Sequence, residues 1–156
     1  MDKNLFPAES NCLAKQFLSP QIYQRLKGKL TESGFSIDMA IGSGIENPDS
    51  AIGLYAGDAQ AYTLFSDLFK KVIQSYHKSQ NTHVSDLGPI ELEDLDPGKE
   101  YILSTRIRTA RNIKGIPFPP HMDDQERTLV EKRVTGACRH LPPGLAGEYI
   151  SLENLD

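Results

Sequence analysis

The chain has 156 residues and carries 17 Lys and Arg against 21 Asp and Glu, so its formal net charge is −4. This length predicts one domain or two small ones, and 38% hydrophobic residues provide enough apolar material for a core. A pI near 5.6 argues against a nucleic-acid partner bound through overall charge, because the phosphate backbone attracts basic surfaces. The sequence contains no apolar run near the ~20 residues of a membrane span and no recognisable targeting peptide. We therefore expect a cytoplasmic protein with neither a nucleic-acid nor a membrane partner.

The cysteines and histidines predict no metal centre. Cys12 and Cys138 are isolated in the sequence, which is typical of reduced intracellular thiols. His77 and His83 lack nearby cysteines or carboxylates at ligand spacing, so we interpret them as solvated surface residues. None of these four side chains is assigned a catalytic role.

The first part of the chain reads as helical. Ser19 followed by Pro20 predicts a helix start, since serine caps helices and proline suits the first helical position, and the pattern continues to about Leu30. Ser36 predicts the cap of a short helix from Ile37 to about Ile41. Residues 42–56 are rich in Gly, Pro, Asn and Asp and predict a long loop, a kind of segment that is often functional.

The clearest helix is expected to start at Asp58. Its apolar residues follow helical spacing and predict a mostly buried element; they are Tyr62, Leu64, Phe65, Leu68, Phe69, Val72, Ile73 and Tyr76. The polar, acidic stretch that follows, with its Gly-Pro and Pro-Gly pairs, is predicted to be a linker. The chain therefore divides near residue 80.

Residues 101–108, YILSTRIR, have the β-branched and aromatic content of a strand. On such a strand Ser104, Arg106 and Arg108 share one face, about 6.6–6.8 Å apart. Guanidinium groups hold phosphate oxygens with a planar fork of donors, so this row suits an extended polyanion, and Arg111 and Lys114 extend the basic patch. The alternative is a solvated strand face, or arginines paired with carboxylates.

Beyond the row, Asp123 and Glu126 have the spacing of a helix capping box. The predicted helix then carries a buried stripe of Val130, Val134, Ala137 and Leu141. No P-loop, GxSxG, HExxH or GxGxxG motif is present in the sequence.

Residues 104–121, STRIRTARNIKGIPFPPH, closely resemble the phosphagen (guanidino) kinase signature S-x-R-x-R-x-x-R-x-x-x-G. Four more segments are similar to arginine and creatine kinases in the same order: SGFSIDMAI (33–41), GIENPDS (44–50), GLYAGDAQAYTLF (53–65) and DLDPG (94–98). The resemblance implies a small all-α N-terminal domain followed by an α+β catalytic domain, an antiparallel sheet plus helices. We expect the all-α domain at 1–80, a linker at 81–100 and the incomplete start of the catalytic domain at 101–156.

The resemblance also implies an activity, namely reversible transfer of the γ-phosphoryl group of ATP, bound with Mg²⁺, to a guanidino substrate. The residues matching its ATP-phosphate site are Ser104, Thr105, Arg106, Ile107 and Arg108. The residues matching its guanidino-specificity loop are Ser50, Ala51, Ile52, Gly53, Leu54 and Tyr55. Ala51 stands where arginine kinases often have glycine, and it would be strained if its φ were positive.

Only seven residues, 49–55, separate Pro48 from Ala56, and in the resembled family such a short loop and Tyr55 point to L-arginine as substrate. The helix 123–140 is more similar to creatine kinases, so creatine, taurocyamine and lombricine remain alternatives. The family's catalytic acids and reactive cysteine match nothing here and are expected C-terminal to Asp156. We accordingly expect an inactive fragment of an enzyme that is a monomer or homodimer when full length. The competing hypothesis is a non-catalytic truncated homologue that acts as a binding module.

Overall fold

The computed structural model describes residues 5–79, 88–89, 93–106, 108, 110–145 and 147–151. The α-helices of these residues are α1 (Leu13–Phe17), α2 (Pro20–Leu26), α3 (Ile37–Glu46), α4 (Ala61–Leu64), α5 (Ser66–His77) and α6 (Asp124–Cys138). Short 3₁₀ turns lie at Pro119–His121 and Pro143–Leu145. Helix α1 packs against α3 and α5, and α4 packs against α5. The predicted all-helical character of the N-terminal part is confirmed.

Two serines start helices where the sequence predicts them. The Ser19 hydroxyl accepts a hydrogen bond from the Ile22 N–H at 3.3 Å, and Pro20 occupies the first position of α2. The Ser36 hydroxyl accepts from the Met39 N–H at 3.2 Å and caps α3. Both caps satisfy an N–H group that has no partner inside its own helix.

The predicted helix ends were less accurate. Helix α2 stops at Leu26 rather than near Leu30, and α3 continues to Glu46 through the first residues of the predicted 42–56 loop. Glycine lowers helix propensity, which is why the sequence pattern favoured a loop there. Tertiary packing overrides this cost, since Gly44 is buried where α3 meets residues of the following loop.

The predicted buried stripe of the second helical region is confirmed at its centre and wrong at its edges. Phe65, Leu68, Phe69 and Val72 are buried in the core. Three residues of the predicted stripe are exposed: Tyr62, Ile73 and Tyr76. Helical spacing identifies the face that can be buried, but α5 meets α1 and α4 along only part of that face.

Helix α6 has the predicted capping box. The Asp123 carboxylate accepts from the Glu126 N–H at 2.7 Å, and the Glu126 carboxylate accepts from the Asp123 N–H at 2.9 Å. The predicted buried stripe is wrong, because α6 has no buried residue. Its stripe residues are half-buried at Val130 and exposed at Val134, Ala137 and Leu141. An apolar face becomes buried only where another surface covers it, which spacing alone does not supply.

The strand predicted at 101–108 is not formed by its described residues, 101–106 and 108. A strand requires a ladder of hydrogen bonds with a neighbour; the β-pairing of the described chain is a single antiparallel bridge between Leu30 and Ser36. The sheet of a catalytic domain and the predicted division into residues 1–80, 81–100 and 101–156 therefore remain predictions. Within the described residues, no helix is both long and apolar enough to cross a membrane.

A segment just before α6, residues 116–121, attaches to the helical body. The Phe118 N–H donates to the Gly57 carbonyl at 2.7 Å, and its side chain packs against the hydrophobic core. The Nε2 atom of His121 lies 2.8 Å from the Ser33 carbonyl oxygen, and its ring meets Phe35 edge-on. The polypeptide that follows the arginine row is thereby tied to the N-terminal helices.

Candidate functional site

The loop formed by residues 50–55 lies against the start of α1. The carbonyls of Ala51 and Ile52 accept hydrogen bonds from the N–H groups of Leu13 and Ala14, both at 3.0 Å. These two N–H groups belong to the first turn of a helix, where they have no partner within the helix itself. The loop backbone is thus held by four main-chain groups, independently of the side chains on its surface.

Only some of the N–H groups of the loop donate hydrogen bonds to other described residues. The Gly53 N–H donates to the Ser50 hydroxyl at 3.0 Å, and the Tyr55 N–H donates to the Ala40 carbonyl at 2.9 Å. The N–H groups of Ala51, Ile52 and Leu54 have no hydrogen-bond partner among the described residues. Unpaired main-chain N–H groups in a turn form a concave binding surface for an anion. The loop therefore has the donors that a carboxylate requires.

Tyr55 stands at the outer end of this loop. Its side chain is 54% exposed, and its hydroxyl makes no hydrogen bond to any other described residue. The strain considered for Ala51 is absent, because the positive φ of the loop, 65°, falls on Gly53. Glycine adopts this conformation without steric cost. The loop can accordingly keep its shape with alanine at position 51.

The predicted phosphate row is exposed wherever the structure describes it, at Ser104, Thr105, Arg106 and Arg108; Ile107 lies outside the described residues. The ion pair found in the described chain joins Arg25 to Asp67 at 2.9 Å. The guanidinium groups of Arg106 and Arg108 therefore have no carboxylate partner within that part of the chain. The sequence offered two alternatives to a binding role. Pairing with carboxylates is not observed among the described residues, whereas a solvated face agrees with the exposure of the row.

Asp96 anchors the backbone that leads into the row. Its carboxylate accepts hydrogen bonds from the N–H groups of Ile102 and Tyr101, both at 2.8 Å, and of Glu100 at 3.1 Å. The hydrogen bond from Ile102, followed by that from Tyr101, lowers the pKa of Asp96, since these donors favour the charged carboxylate. Asp96 itself is buried. The ionised carboxylate fixes the chain direction just before Leu103.

A second carboxylate, Asp58, lies beside a cleft between the helical body and the segment that follows the row. Partial burial raises the pKa of Asp58, but hydrogen bonds from Ser33, Thr31 and the main chain outweigh it, so the net pKa is below the ordinary value. The Asp58 carboxylate also accepts from the Ala61 N–H at 2.8 Å, but the capping position of α4 is Gln60, so the predicted helix start at Asp58 is two residues early. The cleft has a volume of about 570 Å³ and is lined by residues 32–33, 58–60 and 112–118.

The two basic residues that follow the row, Arg111 and Lys114, differ in their position relative to this cleft. Lys114 lines the cleft, whereas the Arg111 guanidinium is exposed and donates to the neighbouring Ala110 carbonyl at 2.7 Å. Across the described residues, no group of three His, Cys, Asp or Glu side chains is arranged to hold a metal ion. Both cysteines are free thiols; Cys12 is buried and Cys138 is exposed.

The structure organises one predicted site and leaves the described residues of the other exposed, without regular secondary structure. The loop residues are brought together against α1, while the row makes no hydrogen bond or ion pair to the loop in the described part of the chain. Three residues that the sequence reasoning missed support these sites: Cys12, Gly44 and Asp96. Asp96 belongs to the DLDPG turn, whose acidic, proline-containing pattern is a usable signal. Cys12 and Gly44 carry no such signal in the sequence.

Comparison with known proteins agrees with the helical fold. Residues 8–74 match the family model described as ATP:guanido phosphotransferase, N-terminal domain. The chain is 42% identical to an arginine kinase of Anthopleura japonica, over 95% of this chain and 21% of that protein. It is 40% identical to the M-type creatine kinase of Oryctolagus cuniculus, over 94% of this chain and 40% of that protein.

A solved structure shows the same relationship. The crystal structure of a lombricine kinase superimposes with a TM-score of 0.77 at 32% sequence identity, over 96% of this chain and 42% of that one. The chain thus spans less than half the length of each of these relatives. Residues 8–74 therefore match the N-terminal domain of the ATP:guanido phosphotransferases, and over most of its length the chain is similar to arginine and creatine kinases.

Proposed function

We propose that this chain takes part in the reversible transfer of the ATP γ-phosphoryl group to the guanidino nitrogen of L-arginine. In the forward direction the P–O bond to ADP breaks, a P–N bond to the guanidino group forms, and that nitrogen loses a proton. The observation that carries the proposal is the 50–55 loop. Three of its N–H groups are unpaired among the described residues, and Tyr55, the last residue of the loop, is exposed.

At the loop, the substrate end remote from the reacting nitrogen is recognised. A carboxylate accepts hydrogen bonds from the N–H groups of Ala51, Ile52 and Leu54 and from the Tyr55 hydroxyl. Hydrogen bonds to a charged acceptor are stronger than neutral ones. Binding energy gained there orients the guanidino group for reaction, since interactions far from the reacting atoms are used to position them. Ser50 contributes indirectly, because its hydroxyl is occupied by the Gly53 N–H.

At the row, the phosphate chain of ATP is held by Ser104, Thr105, Arg106, Ile107 and Arg108, with Ile107 contributing its main chain. In phosphoryl transfer, positioning and charge neutralisation provide most of the catalysis. Guanidinium groups with no carboxylate partner in the described chain are available for this task without first breaking an ion pair. The carboxylate of Asp96 holds the preceding backbone through its three hydrogen bonds.

Mg²⁺ is proposed to enter bound to ATP, where it neutralises phosphate charge, and we assign it no side chain of this chain. We also propose that the 156 residues alone bind ligands but do not turn them over, because the relatives extend over more than twice this length. Creatine, taurocyamine and lombricine are the competing acceptors. Sequence identity supports keeping these alternatives, because the chain is almost equally similar to an arginine kinase and to a creatine kinase.

The test uses the full-length protein, by which we mean the product of the complete open reading frame. It is incubated with Mg·ATP and each of L-arginine, creatine, taurocyamine and lombricine, and the P–N product is followed by ³¹P NMR. We expect phosphoarginine to form fastest. Faster turnover of another acceptor would refute the choice of arginine. Binding of ATP and a guanidino compound without turnover would instead favour a non-catalytic binding module, and no binding of either would refute the proposal.

A further inference from the structure

Three residues meet beneath the 50–55 loop, and we call them the loop floor: Cys12, Gly44 and Gly53. Cys12 is fully buried immediately before α1, Gly44 lies on α3, and Gly53 belongs to the loop itself. A Cβ atom placed on Gly44 would lie 2.8 Å from the Gly53 Cα and 3.0 Å from the Cys12 Sγ. A Cβ atom placed on Gly53 would lie 2.5 Å from the same sulfur. The floor has no room for a single added methyl group.

The floor is fixed from below. The Cys12 Sγ accepts hydrogen bonds from the Lys15 N–H at 3.4 Å and from the Ser10 hydroxyl at 3.5 Å, so the side chain also caps α1. The residues directly after Cys12, Leu13 and Ala14, donate their N–H groups to the loop carbonyls at 3.0 Å. One turn of the chain therefore both supports the loop from beneath and bonds to its backbone.

The floor also includes the residue that lies between two of the proposed substrate donors in the chain. Gly53 separates Ile52 from Leu54, two of the three residues whose N–H groups are unpaired among the described residues. Because Gly53 contacts Gly44 and Cys12 without a gap, a change in either neighbour displaces the backbone between these two N–H groups. Close-packed interiors transmit such volume changes instead of absorbing them.

We propose that the loop floor sets the height of the specificity loop, and that Cys12 and Gly44 are thereby positioning residues that select the length of the guanidino acid. A raised loop leaves less space between its N–H groups and the reacting nitrogen, and a lowered loop leaves more. The two residues act through Gly53 and touch no reacting atom. This inference rests on the proposed function, because it assigns a purpose to the same loop.

The structure provides a matched pair of variants for the test. Gly44→Ala and Gly42→Ala both place alanine on α3, and alanine is the better helix former at either position. A Cβ on Gly42 meets nothing within 4 Å, whereas one on Gly44 collides with Gly53. In the full-length protein we expect Gly44→Ala to raise the Kd of L-arginine at least tenfold and to leave the Kd of ATP unchanged. Gly42→Ala should leave both constants unchanged.

A second variant covers the case in which Gly44→Ala does not fold. Cys12→Ala removes the sulfur and lowers the floor, so the ratio of kcat/KM for L-arginine to that for the shorter taurocyamine should rise at least threefold. A merely structural role for Cys12 would lower the melting temperature but change both substrates equally.

The outcomes separate the two proposals. Turnover of L-arginine by the wild-type protein, with unchanged arginine Kd in folded Gly44→Ala or an unchanged substrate ratio in Cys12→Ala, would overturn the loop floor and leave the proposed function standing. Failure of the wild-type protein to bind any guanidino acid would overturn both.

Discussion

Replacing Tyr55 by phenylalanine removes one hydroxyl from the proposed substrate site and changes little else. The ring is 54% exposed and its hydroxyl has no hydrogen-bond partner among the described residues, so folding stability should stay constant. A hydrogen bond to a carboxylate contributes about 1.5–3 kcal/mol. At about 1.4 kcal/mol for each factor of ten, the Kd of L-arginine should rise about 10- to 140-fold.

The assay is isothermal titration calorimetry of the full-length protein with L-arginine and, separately, with Mg·ATP. The ATP Kd should not change, because the proposed phosphate site lies in a different part of the chain. Tyr62→Phe is the matched control, since it removes the hydroxyl of another exposed tyrosine outside the loop. An arginine Kd that is unchanged in Tyr55→Phe, or equally weakened in Tyr62→Phe, would refute the assignment of this hydroxyl to the substrate carboxylate.

Three further results are expected. Arg108→Ala should raise the Kd of ATP at least tenfold while Arg133→Ala, on the exposed surface of α6, does not; equal effects in the titrations would contradict a specific phosphate site. Asp58→Ala removes the acceptor of the Ala61 N–H and should lower the free energy of unfolding by about 1 kcal/mol, as for a lost helix cap. Because folding lowers the pKa of Asp58, the charged carboxylate stabilises fully above its unfolded pKa of about 3.9. The difference in melting temperature between wild type and Asp58→Ala should therefore persist at pH 7 and shrink as the pH falls through the folded pKa, and a pH-independent difference would be inconsistent with this. Phe118→Ala should lower the free energy of unfolding by about 2 kcal/mol, less than the ~3–5 kcal/mol of a fully buried phenylalanine, and so lower the urea midpoint; an unchanged midpoint would show that residues 116–121 are not packed against the helices.

Local signals in the sequence predicted the helix starts well. Ser19, Ser36 and Asp123 all cap the helices that they were expected to cap, because a capping hydrogen bond involves residues only two or three positions apart. Burial was predicted less well, as the exposed face of α6 shows. Burial depends on which distant surface covers a residue, and apolar spacing contains no information about that surface.

The candidate site likewise contains parts that the sequence predicted and a part that it did not. The 50–55 loop and the arginine row were found from motif resemblance and strand spacing, and both consist of residues that are close in sequence. The loop floor was missed because it joins Cys12, Gly44 and Gly53 from three separate segments. Glycine at position 44 looked like a loop residue, since glycine is unfavourable in helices. Its purpose becomes visible only when α3 is placed against the loop.

The claim that the 50–55 loop binds the carboxylate of a guanidino acid can be measured at the atoms concerned. The full-length protein, labelled with ¹⁵N, is titrated with L-arginine and with agmatine, which has the same guanidino group and no carboxylate. We predict that the N–H signals of Ala51, Ile52 and Leu54 shift with L-arginine and remain in place with agmatine. Equal shifts with both ligands, or shifts confined to residues outside the loop, would contradict the account.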